Sequence, residues 1–243
     1  MKLTCIGRYG PYPKADGACT CYLLSHADKN IVLDLGCGAL PKLLRLIRAD
    51  MIDALILSHL HSDHISDAFT LRYALEVSKK YGRRSFPLPV YMPDSPAAEA
   101  GILASHPMIK AHTVADGMRC DISGIFARFA LMPHAVPSYA VSLEADGKKF
   151  VYSGDTLDGV RLAPFAKGAD MLLMEAAVLS KHKLPGVQHV SAIEAGRIGA
   201  AAGVKKLIIT HIFPEYDESD ILGEAEQGFP GAKLAEEFET YEV

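Results

Sequence analysis

Several features are missing from this sequence, and each absence removes a class of protein. No run of about 18 apolar residues occurs in the 243, so no membrane-spanning helix is expected. Residues Met1 to Tyr9 lack the long apolar core of a signal peptide, which makes a cytoplasmic protein the expectation. Positive charge is not in excess: 25 Lys and Arg against 29 Asp and Glu give a net charge of -4, and the chain as a whole offers no attractive field to nucleic acid or anionic lipid. The one basic cluster, Lys79, Lys80, Arg83 and Arg84, follows a predicted helix and reads as its solvated end. There is no repeat, low-complexity stretch or Pro/Ser-rich linker. Cysteine is sparse and odd in number (Cys5, Cys19, Cys21, Cys37, Cys120), with Cys19 and Cys21 spaced as on a strand rather than as CxxC, so reduced and mostly buried thiols are expected.

What is present is a chain about half apolar, long enough to bury a substantial core and read as one domain over 1–243. Short apolar runs predict strands at Ile31 to Leu35, Ala54 to Leu57, Leu88 to Met92, Phe126 to Leu131, Phe150 to Tyr152, Met171 to Met174 and Leu207 to Ile209. Tyr139 to Glu144 alternates and runs through Ala145-Asp146-Gly147-Lys148 into the next strand, a hairpin signal. Helices are predicted over Leu40 to Ile47, Asp67 to Lys80, Pro96 to Ser105 and Ala192 to Ala202. The last has a capping box, Ser191 with Glu194, and a terminating Gly203. Phe69, Leu71, Tyr73, Leu75 and Val77 give the second helix more apolar side chains than one buried face needs; core packing explains them best, with a substrate entrance or dimer interface as the alternatives. The class is α/β, but not a simple doubly wound sheet.

The chemistry concentrates in Ser58-His59-Leu60-His61-Ser62-Asp63-His64, directly after the strand Ala54 to Leu57. Four metal-ligand side chains within six residues would be an electrostatic and desolvation liability without a cation, and neutral imidazole with carboxylate is an ordinary zinc donor set. Two further strands end in the same manner, at Ser153-Gly154-Asp155-Thr156 and at Thr210-His211, and His134 follows a third. Ligands at the carboxyl ends of several strands are what a site at a sheet edge requires. His26, His106, His112 and His182 have no such context and read as surface or capping residues.

In order and surroundings, His59 to His64, His134, Ser153 to Thr156 and Thr210-His211 resemble the metallo-β-lactamase superfamily over essentially the whole chain. The resemblance implies a four-layered αβ/βα sandwich and two divalent ions, zinc first, with manganese or iron as alternatives. It implies one ion on His59, His61 and His134, the other on Asp63, His64 and His211, and Asp155 bridging. Asp34-Leu35-Gly36 matches the early D-x-G of the superfamily, whose Asp supports the ligands from behind. Pro137-Ser138-Tyr139, Tyr152 to Thr156 and Gln188-His189-Val190-Ser191 look most like the ribonuclease Z-like phosphodiesterases, in which His189 would stand near the scissile phosphate and Glu175 would support it.

The chain also departs from that group. Met174 stands where the group has a histidine, and the interval from His134 to Asp155 is too short for the tRNA-gripping arm. Together with the negative net charge this argues against tRNA and for a small-molecule substrate. The expected function is therefore a dinuclear metal-dependent hydrolase, a phosphodiesterase for a small or cyclic phosphodiester that acts through a metal-bridging hydroxide. Asp63 would orient the hydroxide as well as bind metal, His189 would be the general acid and Glu175 its support. The alternative is a carboxylic-derivative hydrolase acting on a lactone, thioester or β-lactam. A homodimer is the symmetric default.

Overall fold

A computed structural model describes residues 1–243, which divide into two compact units: Met1–Val114 with Glu237–Glu242, and Ala115–Glu236 with Val243. The first unit holds β1 (Lys2–Gly7), β2 (Cys21–His26), β3 (Lys29–Leu33), α1 (Ala39–Leu43), β4 (Ala54–Ile56), α2 (Ser62–Ile65), α3 (Ala68–Lys80), β5 (Leu88–Met92), α4 (Ala97–Ala104) and β6 (Ile109–Thr113). A strand from the far end of the chain, β14 (Thr240–Glu242), completes its sheet in the order β14-β1-β2-β3-β4-β5-β6. Pairing is antiparallel from β14 to β3 and parallel from β3 to β6. Helices connect the parallel strands, as such pairs demand. Buried Ile6, Val32, Leu55 and Val90 from the sheet, with Leu57 just beyond β4, pack with Leu43, Leu71 and Leu75 from the helices.

The second unit holds β7 (Arg119–Ile122), β8 (Ile125–Met132), β9 (Ser138–Ala145), β10 (Lys148–Tyr152), α5 (Leu162–Phe165), β11 (Met171–Glu175), α6 (Ala192–Ala202), β12 (Leu207–Thr210), α7 (Glu218–Gly228) and β13 (Lys233–Leu234). Its sheet runs β13-β12-β11-β10-β9-β8-β7, parallel from β13 to β10 and antiparallel from β10 to β7. The β9–β10 hairpin closes at Asp146 and Gly147, both with positive φ, as the turn signal requires. That tight turn leaves no insertion of any length between His134 and Asp155. The predicted capping box at Ser191 and Glu194 is present, and Gly203 ends α6 in the left-handed conformation.

Several local expectations change. The predicted helix Leu40 to Ile47 is α-helical only over Ala39–Leu43. The strand predicted to Leu35 stops at Leu33, because Asp34 turns out of the extended region to φ 53. Core packing accounts for Leu71 and Leu75 of α3, but not for Tyr73 and Val77, which are 61% and 51% exposed. Arg84 is not a solvated helix end: it is buried, and its guanidinium donates to the carbonyls of Asp50, Ile52 and Phe86. All five cysteines are free; Cys5, Cys19 and Cys21 are buried as expected, and Cys37 is exposed. No helix is long and apolar enough to cross a membrane.

Candidate metal centre

Most of the ligand-type residues stand on loops that leave the carboxyl ends of parallel strands, where backbone groups at the strand ends are released from the ladder; His134 follows the antiparallel strand β8.

In the first unit, β4 runs into the segment from Ser58 to His64. His59 is fully buried and its Nε2 lies 3.0 Å from Nδ1 of His61. Two nitrogens held at about 2.0–2.1 Å by one tetrahedral ion would sit roughly 3.3 Å apart, so this pair has close to the separation a shared cation imposes. His64, also fully buried, turns its Nδ1 to Asp34 Oδ2 at 2.8 Å and to Thr20 Oγ1 at 3.1 Å, leaving Nε2 on the side of Asp63, 3.6 Å from Oδ2. A carboxylate on Nδ1 fixes the tautomer and makes Nε2 the lone-pair donor.

Asp34 is the hub behind these residues. It is fully buried and accepts the Ser58 backbone N–H at 2.7 Å and the Ser58 hydroxyl at 2.8 Å besides holding His64. The D-x-G turn is laced to the ligand loop by Leu35 N–H donating to the His64 carbonyl at 2.8 Å and by Asp67 N–H donating to the Leu35 carbonyl at 3.0 Å. Gly36 permits this approach: a Cβ there would lie 1.9 Å from the Asp63 carbonyl oxygen.

In the second unit, β10, β11 and β12 deliver Asp155, Glu175 and His211. Asp155 Oδ2 lies 3.3 Å from His211 Nε2 and 3.7 Å from His189 Nδ1, and these three residues form a group whose ligand atoms are all within 4.8 Å. The 3.3 Å spacing again matches two donors on one ion. His211 is held at φ 53, a left-handed conformation uncommon for histidine. His134 Nδ1 lies 3.1 Å from the Gln188 carbonyl; a carbonyl only accepts, so Nδ1 carries the proton and Nε2 the lone pair. Burial holds the His134 imidazole below its ordinary pKa against the opposing pull of Asp155, which favours the neutral, ligating form.

Glu175 is fully buried, with Oε1 accepting the Thr156 N–H at 2.6 Å and Oε2 lying 3.0 Å from His189 Nδ1. His189 stacks on His211 at 5.2 Å and meets His134 edge-on at 5.4 Å. Met174 is a buried core residue of β11. Ser138 and Tyr139 are buried in β9. Histidines without sequence context lie apart from these groups: His106 faces Glu76 at 3.3 Å, His112 stacks on Tyr91, and His182 bonds Tyr216.

Both clusters therefore fit divalent ions by donor chemistry and spacing, nitrogen and carboxylate oxygen throughout. Sequence reasoning did not find Thr20, the Gln188 carbonyl or Thr156 N–H as supports. Two of those are backbone groups, and nothing in Ala18-Cys19-Thr20-Cys21 marks the threonine.

A family profile described as the beta-lactamase superfamily domain matches residues 29–212. A probable metallo-hydrolase of Bacillus subtilis, YhfI, is 33% identical over 226 residues, covering 91% of this chain and 91% of that one. Its crystal structure, described as a metallo-beta-lactamase fold protein, superposes with a TM-score of 0.95 at 29% identity over 100% of this chain and 99% of the other. A ribonuclease Z of Brevibacillus brevis is 26% identical over 285 residues, covering 89% of this chain and 88% of its own length. The chain has the metallo-β-lactamase fold and belongs to the metallo-β-lactamase superfamily, among its metal-dependent hydrolases.

Proposed function

We propose that the protein is a dinuclear metal-dependent phosphodiesterase acting on a small or cyclic phosphodiester. The observation that carries the reading is the pairing of His189 Nδ1 with the buried carboxylate of Glu175 at 3.0 Å, beside Asp155 and His211. In this reading His59, His61 and His134 hold one ion, Asp63, His64 and His211 the other, and Asp155 both, zinc being the first expectation and manganese or iron the alternatives. Bound there, a pair of divalent ions supplies Lewis acidity toward the attacking water and the phosphoryl oxygens.

The remaining chemistry belongs to the chain. Glu175, fixed by Thr156 N–H, holds a proton of His189 on Nδ1 and leaves Nε2 free to carry the one that is transferred. His189 can then deliver a proton from Nε2 to a departing alkoxide and regain it from water. Asp63 orients the attacking water from the ligand loop. A thioester, whose thiolate departs without a proton, has less use for such an acid, and the carboxylic-derivative reading of a lactone, thioester or β-lactam ranks second. The tight β9–β10 hairpin, without an arm, supports a small substrate over tRNA. A homodimer in a cytoplasmic setting completes the reading; light scattering on the purified protein tests the first.

The test is hydrolysis of an aryl phosphodiester, an alkyl phosphodiester, a thioester and a lactone by zinc- and manganese-loaded protein, with Asp63→Ala and His189→Ala. The phosphodiesters are expected to be the preferred substrates and Asp63→Ala inactive. His189→Ala should lose about 10²–10⁴-fold on the alkyl diester and far less on the aryl one, whose leaving group needs no proton. Turnover of carbonyl substrates alone, or equal losses on both diesters, would remove the proposed role of His189.

A further inference from the structure

A second charged cavity lies within the β7–β13 unit, at the edge of its sheet where α5 covers β8. It measures about 260 Å³ and is lined by Asp116, Arg119, Arg128, Phe129, Arg161 and Phe165, with Gly117 and Ala130. None of the proposed metal ligands lines it.

Its walls are electrostatically odd. Arg119 of β7 and Arg128 of β8 are direct cross-strand partners, and like charges directly opposed on one face of an antiparallel pair are destabilising. Arg161, just before α5, adds a third guanidinium. The acids nearby cancel only part of these charges. Asp116 engages Arg161 through one terminal nitrogen, at 2.7 and 2.8 Å. Glu144 approaches Arg128 only to 3.4 Å and also accepts from Ser142. Arg119 has no acidic partner, and the buried Nε of Arg128 has no hydrogen-bond acceptor.

Arg128 also stands over the Phe165 ring at 5.6 Å, which holds its plane in place.

We propose that this pocket is a binding site for a phosphate dianion, either inorganic phosphate or the phosphate of a small phosphomonoester. Guanidinium forks match the tetrahedral oxygens of phosphate, and three arginines line this pocket, Arg119 among them without an acidic partner. The volume is below the roughly 300–1,000 Å³ typical of drug-sized ligand sites, which suits a phosphate carrying at most a pentose-sized body. Neutralising the opposed arginines is what the ligand contributes to the fold.

The experiment is calorimetric titration of the metal-loaded full chain with inorganic phosphate and, separately, with ribose 5-phosphate, for wild type, Arg119→Gln and Arg128→Gln. Chloride at matched ionic strength serves as the control. Binding common to all three proteins belongs to the metal centre. The part that counts is an additional site that Arg119→Gln weakens tenfold or more, and Arg128→Gln likewise where it folds, with aryl phosphodiester hydrolysis unchanged. The probe that fills this site identifies the source as inorganic or organic. Arg119→Gln, exposed and without an acidic partner, should melt at the same or a higher temperature than wild type without anion, and carries the test alone if Arg128→Gln does not fold. Identical isotherms for wild type and Arg119→Gln, or a difference that chloride reproduces, would overturn the proposal.

Discussion

Asp34 illustrates how much work one side chain performs behind the ligand loop. A non-glycine residue at positive φ costs on the order of 1–3 kcal/mol, and Asp34 at φ 53 repays that through three hydrogen bonds, two to Ser58 and one to His64. Asp34→Asn keeps an acceptor for Ser58 N–H but takes the charge from His64 Nδ1. We expect metal affinity to fall about 10–100-fold, with the fold intact, in a competition titration against a chromogenic chelator. At this scale the sequence was readable where ligand-type residues cluster, as from His59 to His64, and where a short signature repeats at a strand end, as at Asp155 and His211. Thr20 and Gln188 were illegible because what they supply, a hydroxyl on His64 and a main-chain carbonyl on His134, is available from many residue types.

Elements set the frame in which those residues meet. Helix α6 begins soon after His189 and crosses α7 at backbone distance: a Cβ on Gly196 would lie 2.2 Å from the Ala225 carbonyl oxygen, and one on Gly228 2.5 Å from the Arg197 nitrogen. Backbone cannot swing aside as a side chain can. Gly196→Ala gains about 1 kcal/mol of helix propensity, yet overpacking of this kind costs about 1–3 kcal/mol and more when main chain must move. The variant should therefore unfold at lower urea, while the same substitution at Gly223, where nothing lies within 4 Å of the added Cβ, should not. The start of α6 was legible because Ser191 and Glu194 form a paired signal. By contrast α7, Glu-Ser-Asp-Ile-Leu-Gly-Glu-Ala-Glu-Gln-Gly, buries only Ile221 and Ala225, too few apolar positions to establish a period. The strands β1 and β2 escaped for a related reason, since Thr4, Cys5 and Cys21 dilute an otherwise apolar pattern.

On the scale of the whole molecule, both sheets are half parallel and half antiparallel, and ligand-type residues other than His134 follow strands of the parallel halves. The α/β class and the candidate ligands were both legible, because apolar runs mark parallel strands and clustered histidines mark the loops that leave them. Acid behaviour turns on Asp170 at the start of β11. Burial alone would raise its carboxyl pKa, but hydrogen bonds from Lys205 and the Lys149 N–H, with the charges of Lys148 and Lys205, hold it down at about 2. A depressed folded-state pKa gives stability that is complete above the usual aspartate value of about 3.9 and disappears as pH falls toward about 2. Because Lys205 and Lys148 are themselves 70% and 47% exposed, about 1–2 kcal/mol is a fair size for that contribution. Urea midpoints of wild type should thus fall faster between about pH 5 and about pH 2.5 than those of Asp170→Asn.

The strand β14 carries a consequence in time. Lys2 pairs with Glu242, Cys5 exchanges backbone bonds with Phe238 and Glu239, and Glu237 receives the Ala18 N–H and the Lys42 ammonium. These bonds join β1 to a strand 236 residues further along the chain, as between Thr4 and Thr240, so β2 to β6 can assemble early while β1 waits with one edge bare. Closing so long a loop adds little to the equilibrium cost but delays the step that needs it. The sheet begun first thus waits on a strand that lies beyond the whole of the other unit, and synthesis of β7 to β13, rather than of its own neighbours, sets the moment at which the first unit is complete.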